Sequence, residues 1–168
     1  MAGLRKGHCY TGLVRAYTRK SKYKSKAYIK GVPPSKLVKF DQGDLKKEFE
    51  SAVFLKSKQP IQLRHNALES ARQMVNRNIS ESLGNNFRLK IRVYPHHILR
   101  ENKMLSGAGA DRMQTGMQRA FGKPVGSAAQ VKKGQPIISL HVDKKDIEAA
   151  KKALHTAIHR LPGQYYIE

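Results

Sequence analysis

Seven histidines and one cysteine are the first candidates in this chain for acid–base, nucleophilic or metal chemistry. His155 and His159 are four residues apart, a spacing that places two side chains on one face of a helix, where they could share a metal ion. The spacing supplies no acidic or cysteine third ligand, and solvated histidines on helix faces are far commoner than metal ligands. The pattern therefore predicts no metal site.

The remaining reactive side chains also lack partners nearby in sequence. His96 and His97 could act as a general acid or base, but no paired carboxylate or nucleophile lies close to them. Cys9 follows His8 in a strongly basic stretch, whereas a catalytic cysteine needs a formed pocket. A single cysteine also excludes an internal disulfide and a multi-cysteine zinc site, which fits a reducing compartment or a fold that needs no disulfide. The sequence predicts no enzyme, although a site built from distant residues stays open.

The glycine-rich stretch at 101–126 does not match the nucleotide-binding motifs. Gly107 and Gly109 lack the third glycine of the dinucleotide fingerprint, and Gly122-Lys123 is followed by proline, not by the serine or threonine of a Walker loop. We therefore expect no nucleotide cofactor. So many glycines predict a long loop, which in a compact domain is usually functional or disordered.

Cations accompany the glycines of this predicted loop. Glycine permits close backbone approach to a partner, and backbone amides can then contact phosphate oxygens. Met113, Met117 and Phe121 are spaced four apart, which indicates a short helix whose apolar side chains pack rather than form a ligand site. The cations of the segment are Arg100, Lys103, Arg112, Arg119 and Lys123.

The chain carries 33 Lys and Arg against 12 Asp and Glu, a net charge of +21. A compact protein this basic repels itself unless an anion neutralises it, and polyphosphate is the natural partner, because each neutralised phosphate releases counterions. A membrane is disfavoured, since the sequence has no apolar run of about 18 residues and its N-terminus lacks the apolar region of a signal peptide.

The first forty residues contain 11 Lys and Arg and no acid, which predicts a basic N-terminal arm over 1–36 preceding a body over 37–168. Three tyrosines interleave with the cations, so phosphate contacts and base stacking could alternate. With little apolar periodicity, we expect extended chain that orders only on RNA. The predicted RNA-binding cations of the arm are Arg15, Arg19, Lys20, Lys22, Lys24 and Lys26.

Within the body, apolar spacing predicts a strand at 49–56 and then a helix. Asn66 and Glu69 have the spacing of a capping box, and Gly84 follows as a stop signal. Arg72, Asn76 and Arg77 are expected on the outer face of this helix. Its predicted core positions are Leu68, Ala71, Val75, Ile79 and Leu83.

Residues 87–94 alternate between apolar and basic positions, which predicts a strand with one face in the core and a row of positive charge opposite. That row is Arg88, Lys90 and Arg92, and we expect it to bind RNA, with a solvated sheet face as the alternative. A second strand is predicted at 136–142, followed by a helix capped by Asp143 and ended near Pro162. Strands with two amphipathic helices indicate an α+β fold. The apolar positions of the second helix are Ile147, Ala150, Leu154, Ala157, Ile158 and Leu161.

The segment NKMLSGAGADRMQTGMQRAFGKP, residues 102–124, closely resembles the signature of a large-subunit ribosomal protein family called L-sixteen in bacteria and L-ten-e in archaea and eukaryotes. Similarity also lies in GVPPSK at 31–36, LESAR at 68–72 and LKIRVYPHHILR at 89–100, so it spans nearly the whole chain. Tyr94-Pro95-His96-His97 stands where the archaeal and eukaryotic form usually has His-Pro-Phe-His, which puts in doubt any role that needs an imidazole at 94. The chain has no long eukaryotic-type tail, which favours an archaeal type.

The resemblance implies a single compact domain of the α/β-hammerhead type, with a basic arm and a long glycine-rich loop. It implies a structural role on large-subunit rRNA, with the loop directed toward the peptidyl transferase centre and tRNA acceptor ends, where it supports tRNA positioning and late assembly. Neighbouring large-subunit proteins would be further partners; no membrane, no cofactor and no homo-oligomer are expected, and the location would be the cytoplasm. The functional loop carried over by motif comprises Arg100, Lys103, Met104, Gly107, Gly109, Arg112, Gln114 and Arg119.

Two other classes of function stay open. The charge alone permits a freestanding nucleic-acid-binding module, which would bind many RNAs similarly with an affinity governed by salt. An RNA-modifying enzyme would need a cofactor pocket, of which the sequence shows no sign.

Overall fold

The computed structural model describes residues 5–21, 23–118 and 120–168, apart from the side chain of Lys24. Two antiparallel sheets and two long helices confirm the α+β prediction. The described strands are β1 (Asp41–Gly43), β2 (Ser51–Ser57), β3 (Ile61–Arg64), β4 (Arg88–Ile91), β5 (His97–Glu101), β6 (Lys123–Val131), β7 (Pro136–Val142) and β8 (Tyr165–Ile167). The helices are α1 (His65–Leu83), the single turn α2 (Ala110–Met113) and α3 (Ile147–Ile158), and short 3-10 turns occupy Gly7–Tyr10, Lys24–Lys26 and Lys144–Asp146.

The larger sheet has the order β1-β4-β7-β2-β8 and supplies a larger share of the core than either long helix or the smaller sheet. Leu89 on β4 lies opposite Leu140 on β7, which in turn lies opposite Val53 on β2. This register places the three side chains on one face, because side chains alternate between faces along a strand. The strands predicted at 49–56 and 136–142 are confirmed as β2 and β7, whereas the strand predicted at 87–94 is the shorter β4, which ends at Ile91.

Helices α1 and α3 pack against each other beside this core, and Asn78 on α1 donates a 2.8 Å hydrogen bond to Thr156 on α3. Ala150, Leu154 and Ala157 of α3 are buried, and Leu161 follows in the turn after it. The apolar stripes predicted for both helices are therefore confirmed. Their buried members on α1 are Leu68, Ala71, Val75 and Ile79.

Both predicted helix caps are wrong. The N-cap of α1 is Arg64, which makes no side-chain capping bond, while the Asn66 side chain accepts only from the amide of Ala67 at 3.0 Å. Asp143 precedes a 3-10 turn, not α3 itself, and its carboxylate accepts from Lys47 at 2.8 Å. At each site another side chain binds the predicted capping carboxylate. Arg72 binds that of Glu69, and Lys47 binds that of Asp143.

The smaller sheet, with the order β3-β6-β5, was not foreseen. Its longest strand, β6, covers residues 123–131, of which 123–126 were predicted to be loop. Likewise Glu101 ends β5, so the connection between the two strands, here called the central loop, spans 102–122. None of the helices in the described parts of the chain is long and apolar enough to cross a membrane.

Candidate nucleic-acid interface

Strand β4 presents the predicted row of cations on the face opposite the core. Phe87 and Leu89 are 2% and 1% exposed. The alternating Arg88 and Lys90 keep part of their side chains in solvent. The alternation continues past the end of the strand, because the amide of Arg92 donates to the carbonyl of Ile137 at 2.8 Å. The register thus aims Arg88, Lys90 and Arg92 at the same side of the sheet.

One acid interrupts this row, although none was expected from the sequence. Asp41 on β1 lies opposite Lys90, and its carboxylate is 3.9 Å from both the Lys90 ammonium and the Arg88 guanidinium. Asp41 stands 47 positions before Arg88 in the chain, so only strand pairing brings them together. The row remains net positive, but its charge is partly neutralised at one end.

An aromatic ring joins the row at its other end. Phe54 on β2 lies opposite Ser139, and the Arg92 guanidinium and the Lys56 ammonium each stand 5.8 Å from its ring centre. Arg92 also donates to the Ser139 hydroxyl at 3.0 Å, which fixes the position of the guanidinium over the sheet. Phe54 was missed as a site residue because its place beside Arg92 follows only from the β2–β7–β4 register.

The field of these cations acts on a neighbouring histidine. His141 on β7 lies opposite Arg88, and its pKa is lowered, first by burial and then by Arg92, Arg88 and Lys90. The imidazole is therefore neutral near pH 7, because burial and the adjacent positive charges both oppose its protonation.

The N-terminal segment is defined here as residues 5–36, and its residues 10–17 lie against the smaller sheet. The backbone amide of Gln62 donates to the carbonyl of Thr11 at 3.0 Å, and the Gln62 side chain donates to the carbonyl of Tyr10 at 2.8 Å. The Gln130 side chain donates to the carbonyl of Val14 at 2.7 Å. Two glutamines on adjacent strands thus bind the segment. A polar glutamine among the apolar residues of each strand is the sequence feature that could have indicated this contact.

Tyr17 fixes the segment at the edge strand β5. Its amide donates to Nδ1 of His97 at 2.8 Å, and its carbonyl accepts from the amide of Ile98 at 3.0 Å. His97 is 6% exposed, and burial followed by Arg100 lowers its pKa, which keeps Nδ1 free to accept. His97, considered above for catalysis, therefore has a structural partner.

The predicted cations of the segment remain accessible. Arg15, Arg19, Lys20 and Lys26 are all exposed, and Tyr23 and Tyr28 are 62% and 63% exposed. The Arg19 guanidinium lies 4.9 Å from the Tyr28 ring centre, and the Lys26 ammonium lies 5.7 Å from that of Tyr23. Alternating cations and rings can meet phosphates and bases along one strand of RNA. Lys22 and the side chain of Lys24 lie outside the described residues.

The central loop is held by bonds within itself. Gln114 accepts from the amide of Leu105 at 2.6 Å and donates to the carbonyl of Lys103 at 3.0 Å, so this predicted RNA contact points into the loop. Gly107 and Gly109 have φ values of 132° and 80°, which residues other than glycine rarely adopt. Lys103, Met104 and Arg112 are exposed, as a contact surface requires, and Arg119 lies outside the described residues.

Arg100 sits at the base of the loop rather than along it. Its guanidinium stands 3.7 Å from the ring centre of Phe121 and 4.8 Å from that of Tyr17, and it donates to the carbonyl of Phe121 at 2.8 Å. The two rings meet edge to face at 5.7 Å. Arg100 thus ties the last part of the loop to the N-terminal segment, a positioning role that its place in the motif did not reveal.

The packing of Met113, Met117 and Phe121 on one helix face is not observed, although Phe121 contacts Arg100 and Tyr17. The three residues are 79%, 65% and 65% exposed, and the predicted helix is reduced to the single turn α2. Met104 and Leu105 are each 53% exposed as well. Large exposed apolar patches are typical of surfaces that contact another molecule, so these exposed side chains make the loop a candidate contact surface.

The alternative chemistries gain no support from the described part of the chain. The rings of His155 and His159 are 5.5 Å apart, yet no group of three or more His, Cys, Asp or Glu suited to a metal is found among the described residues. Cys9 is exposed.

Comparison with known proteins gives a consistent result over most of the chain. Proteins called large ribosomal subunit protein uL16 are similar to it in Staphylothermus marinus, at 47% identity over 95% of this chain and 89% of the relative. The corresponding figures are 46%, 90% and 86% for Methanocella arvoryzae and 47%, 95% and 90% for Metallosphaera sedula. The model of the family described as ribosomal protein L16p/L10e matches residues 15–168. That match covers both sheets, both long helices and the central loop, so the chain belongs to the ribosomal protein L16p/L10e family.

Proposed function

We propose that this protein is a non-enzymatic structural constituent of the large ribosomal subunit that binds large-subunit rRNA. The names of the relatives, all large ribosomal subunit proteins, support the assignment. The observation that carries the RNA-binding part is the pair of exposed basic surfaces, one along residues 5–36 and one on the outer face of β4, in a chain of net charge +21. Cations placed in this way contact phosphates and fix the protein on RNA.

The finer parts of the proposal follow from the resemblance of the motif. Residues 1–36 act as an rRNA-binding arm on a hammerhead-type body, 37–168, and the central loop reaches toward the peptidyl transferase centre and tRNA acceptor ends. The exposed Lys103, Met104 and Arg112 support a contact role for the loop. Neighbouring ribosomal proteins complete the surroundings, and the chemistry of peptide transfer belongs to the rRNA.

Sedimentation tests the assignment first. Cell extract is run on a sucrose gradient after a high-salt wash, and the protein is tracked across the fractions. We expect retention on the large subunit at close to one copy per subunit. Recovery at the top of the gradient would contradict the ribosomal assignment and leave a general nucleic-acid-binding module.

Substitution in the loop tests the finer role. Arg112→Ala removes an exposed loop cation, and Lys151→Ala removes an exposed cation of α3 as the matched control. We expect both variants to enter large subunits, with only Arg112→Ala slowing tRNA accommodation or late assembly, measured by peptide-bond formation on purified ribosomes and by precursor accumulation. Identical behaviour of the two variants would exclude the loop role while leaving the ribosomal assignment intact.

A further inference from the structure

A small cleft of about 170 Å³ lies where the N-terminal segment, the start of α1 and the stem of the central loop meet. Four cationic side chains from four separate stretches of the chain line it: Arg5, Lys36, Arg64 and Lys103. Neither the charge row on β4 nor the predicted RNA contacts of the arm belong to it. Lys103 alone was singled out by the sequence motif.

The charge of the cleft is strongly unbalanced. Glu101 is the only acid among the described residues that line it, and the Arg5 guanidinium already binds it at 2.6 Å. That pair leaves Lys36, Arg64 and Lys103 without a further carboxylate from this lining. Arg64 donates to the carbonyl of Arg5 at 3.1 Å and stands 5.5 Å from the ring centre of Tyr10, so its guanidinium is held in place with further N–H groups to offer.

The start of α1 adds to this positive field. The helix has 19 residues, its N-cap Arg64 makes no side-chain capping bond, and its first turn contains no acid. The positive end of a helix dipole and its free amides favour an anion. Here that end lies beside Lys36, Arg64 and Lys103, with no acidic side chain in the first turn.

His65 contributes a neutral hydrogen-bond donor. Its Nδ1 accepts from the amide of Lys36 at 3.0 Å, so the proton of the neutral ring lies on Nε2. Burial, then Lys36 and Arg64, lower the pKa of His65, and the ring stays neutral near pH 7. Gly126 makes room for it, since a Cβ at that position would lie only 3.2 Å from Nε2.

We propose that this cleft binds a phosphate group of the RNA backbone, with Lys36, Arg64 and Lys103 supplying charge and the Nε2–H of His65 donating a hydrogen bond. The proposal rests on the RNA-binding function proposed above and specifies that the ligand of this cleft is one phosphodiester group. Because the cations come from separate segments, the bound phosphate joins the N-terminal segment, α1 and the loop stem. RNA binding would thereby hold the central loop at its base.

Inorganic phosphate is the first probe, with the full-length chain labelled with nitrogen-15 in its histidines. At constant ionic strength, we expect phosphate to shift the Nε2 signal of His65 saturably, whereas chloride does not. Lys36→Gln and Arg64→Gln should each weaken the apparent affinity at least fivefold. Lys133→Gln, an exposed lysine outside the cleft, should leave it unchanged.

An acidic peptide of glutamate and glycine, titrated in parallel, distinguishes the rival partner. A His65 shift from the peptide equal to or larger than the phosphate shift would overturn the proposal in favour of a protein contact. Absence of any saturable shift with phosphate would overturn it as well. Circular dichroism of both variants establishes that loss of binding does not reflect unfolding.

Binding to large-subunit rRNA separates failure of the cleft from failure of the proposed function. In a plot of log affinity against log salt, we expect Lys36→Gln to lower the slope by about 0.7 to 0.9, the value of one phosphate contact. An unchanged slope, with the preference for large-subunit rRNA retained, would refute the cleft alone. Loss of that preference in the unsubstituted protein would refute the proposed function, and the phosphate titration would still decide the cleft.

Discussion

The guanidinium of Arg72 lies inside the molecule, with the residue only 8% exposed. It donates to both carboxylate oxygens of Glu69, at 2.8 and 2.6 Å, and to the side-chain oxygen of Gln42 on β1. These contacts join α1 to the larger sheet. They also hold the pKa of Glu69 below its ordinary value near 4.5.

Replacement of Glu69 by glutamine should therefore destabilise the fold. Glu69→Gln leaves a largely buried guanidinium with a weaker partner, and we expect the free energy of unfolding in urea at pH 7 to fall by about 1–3 kcal/mol. Glu81→Gln is the control, because the Arg77–Glu81 pair on the same helix is 75% and 63% exposed and should change it by about 0.5 kcal/mol or less. Equal losses in the two variants would show that Arg72 does not need the carboxylate.

The same pair predicts a pH dependence. A carboxyl whose folded pKa is depressed contributes stability that is complete above its unfolded value and is lost as the pH falls through the folded value. The difference in unfolding free energy between the unsubstituted protein and Glu69→Gln should thus shrink as the pH drops below about 4.5. A difference that stays constant from pH 7 to pH 3 would contradict this account.

At the scale of elements, the N-terminal segment is attached to β5 through His97. The undocked imidazole has the higher pKa, because burial lowers the docked one, so lowering the pH below about 6.5 favours the undocked, protonated form. We expect the Tyr17 amide to lose hydrogen-exchange protection between pH 7.5 and 5.5. His97→Asn, which keeps an acceptor near the position of Nδ1, should abolish that dependence, and His155→Asn on the exposed face of α3 should not.

Two glycines of the central loop offer a matched comparison. Gly109 and Gly122 have nearly equal φ values, 80° and 78°, but a Cβ at 109 would meet nothing within 4 Å, while one at 122 would lie 2.7 Å from the carbonyl carbon of Glu101. Both alanine variants incur about 1–2 kcal/mol of left-handed strain. We expect Gly122→Ala to lose about 1–3 kcal/mol more, the usual effect of overpacking. Urea denaturation measures both, and equal losses would show that the loop stem yields freely.

At the scale of the whole molecule, the distribution of the +21 charge matters more than its size. A variant of the N-terminal segment tests this, with serine replacing Arg15, Arg19, Lys20 and Lys26. We expect the slope of log rRNA affinity against log salt to fall by about 0.7–0.9 for each phosphate that the segment no longer neutralises. The control variant removes the same charge from exposed cations near or on α3, with serine replacing Lys144, Lys145, Lys151 and Lys152. We expect it to lower the slope less. Equal effects would mean that net charge alone governs binding.

Local patterns were sufficient to predict several elements from the sequence. The alternation at 87–94 and the helical spacing from Leu68 to Ile79 identified a strand and a helix, because burial of one face imposes a fixed period on the chain. The clustering of cations in the N-terminal segment was evident from the sequence. The glycine-rich motif identified the family. The expectation that Arg72 lies on the outer face of the helix was wrong, because position 72 shares the buried face of α1 with positions 68, 71, 75 and 79.

What the sequence by itself determined was thus the α+β class, the sign and clustering of charge, and the family. Only the tertiary structure decided which distant side chains meet: Asp41 with the β4 cations, Arg100 between Tyr17 and Phe121, and the four cations of the cleft. The physical reason is that strand register and packing set these contacts, and a period of two or 3.6 residues carries no information about which strand becomes a neighbour.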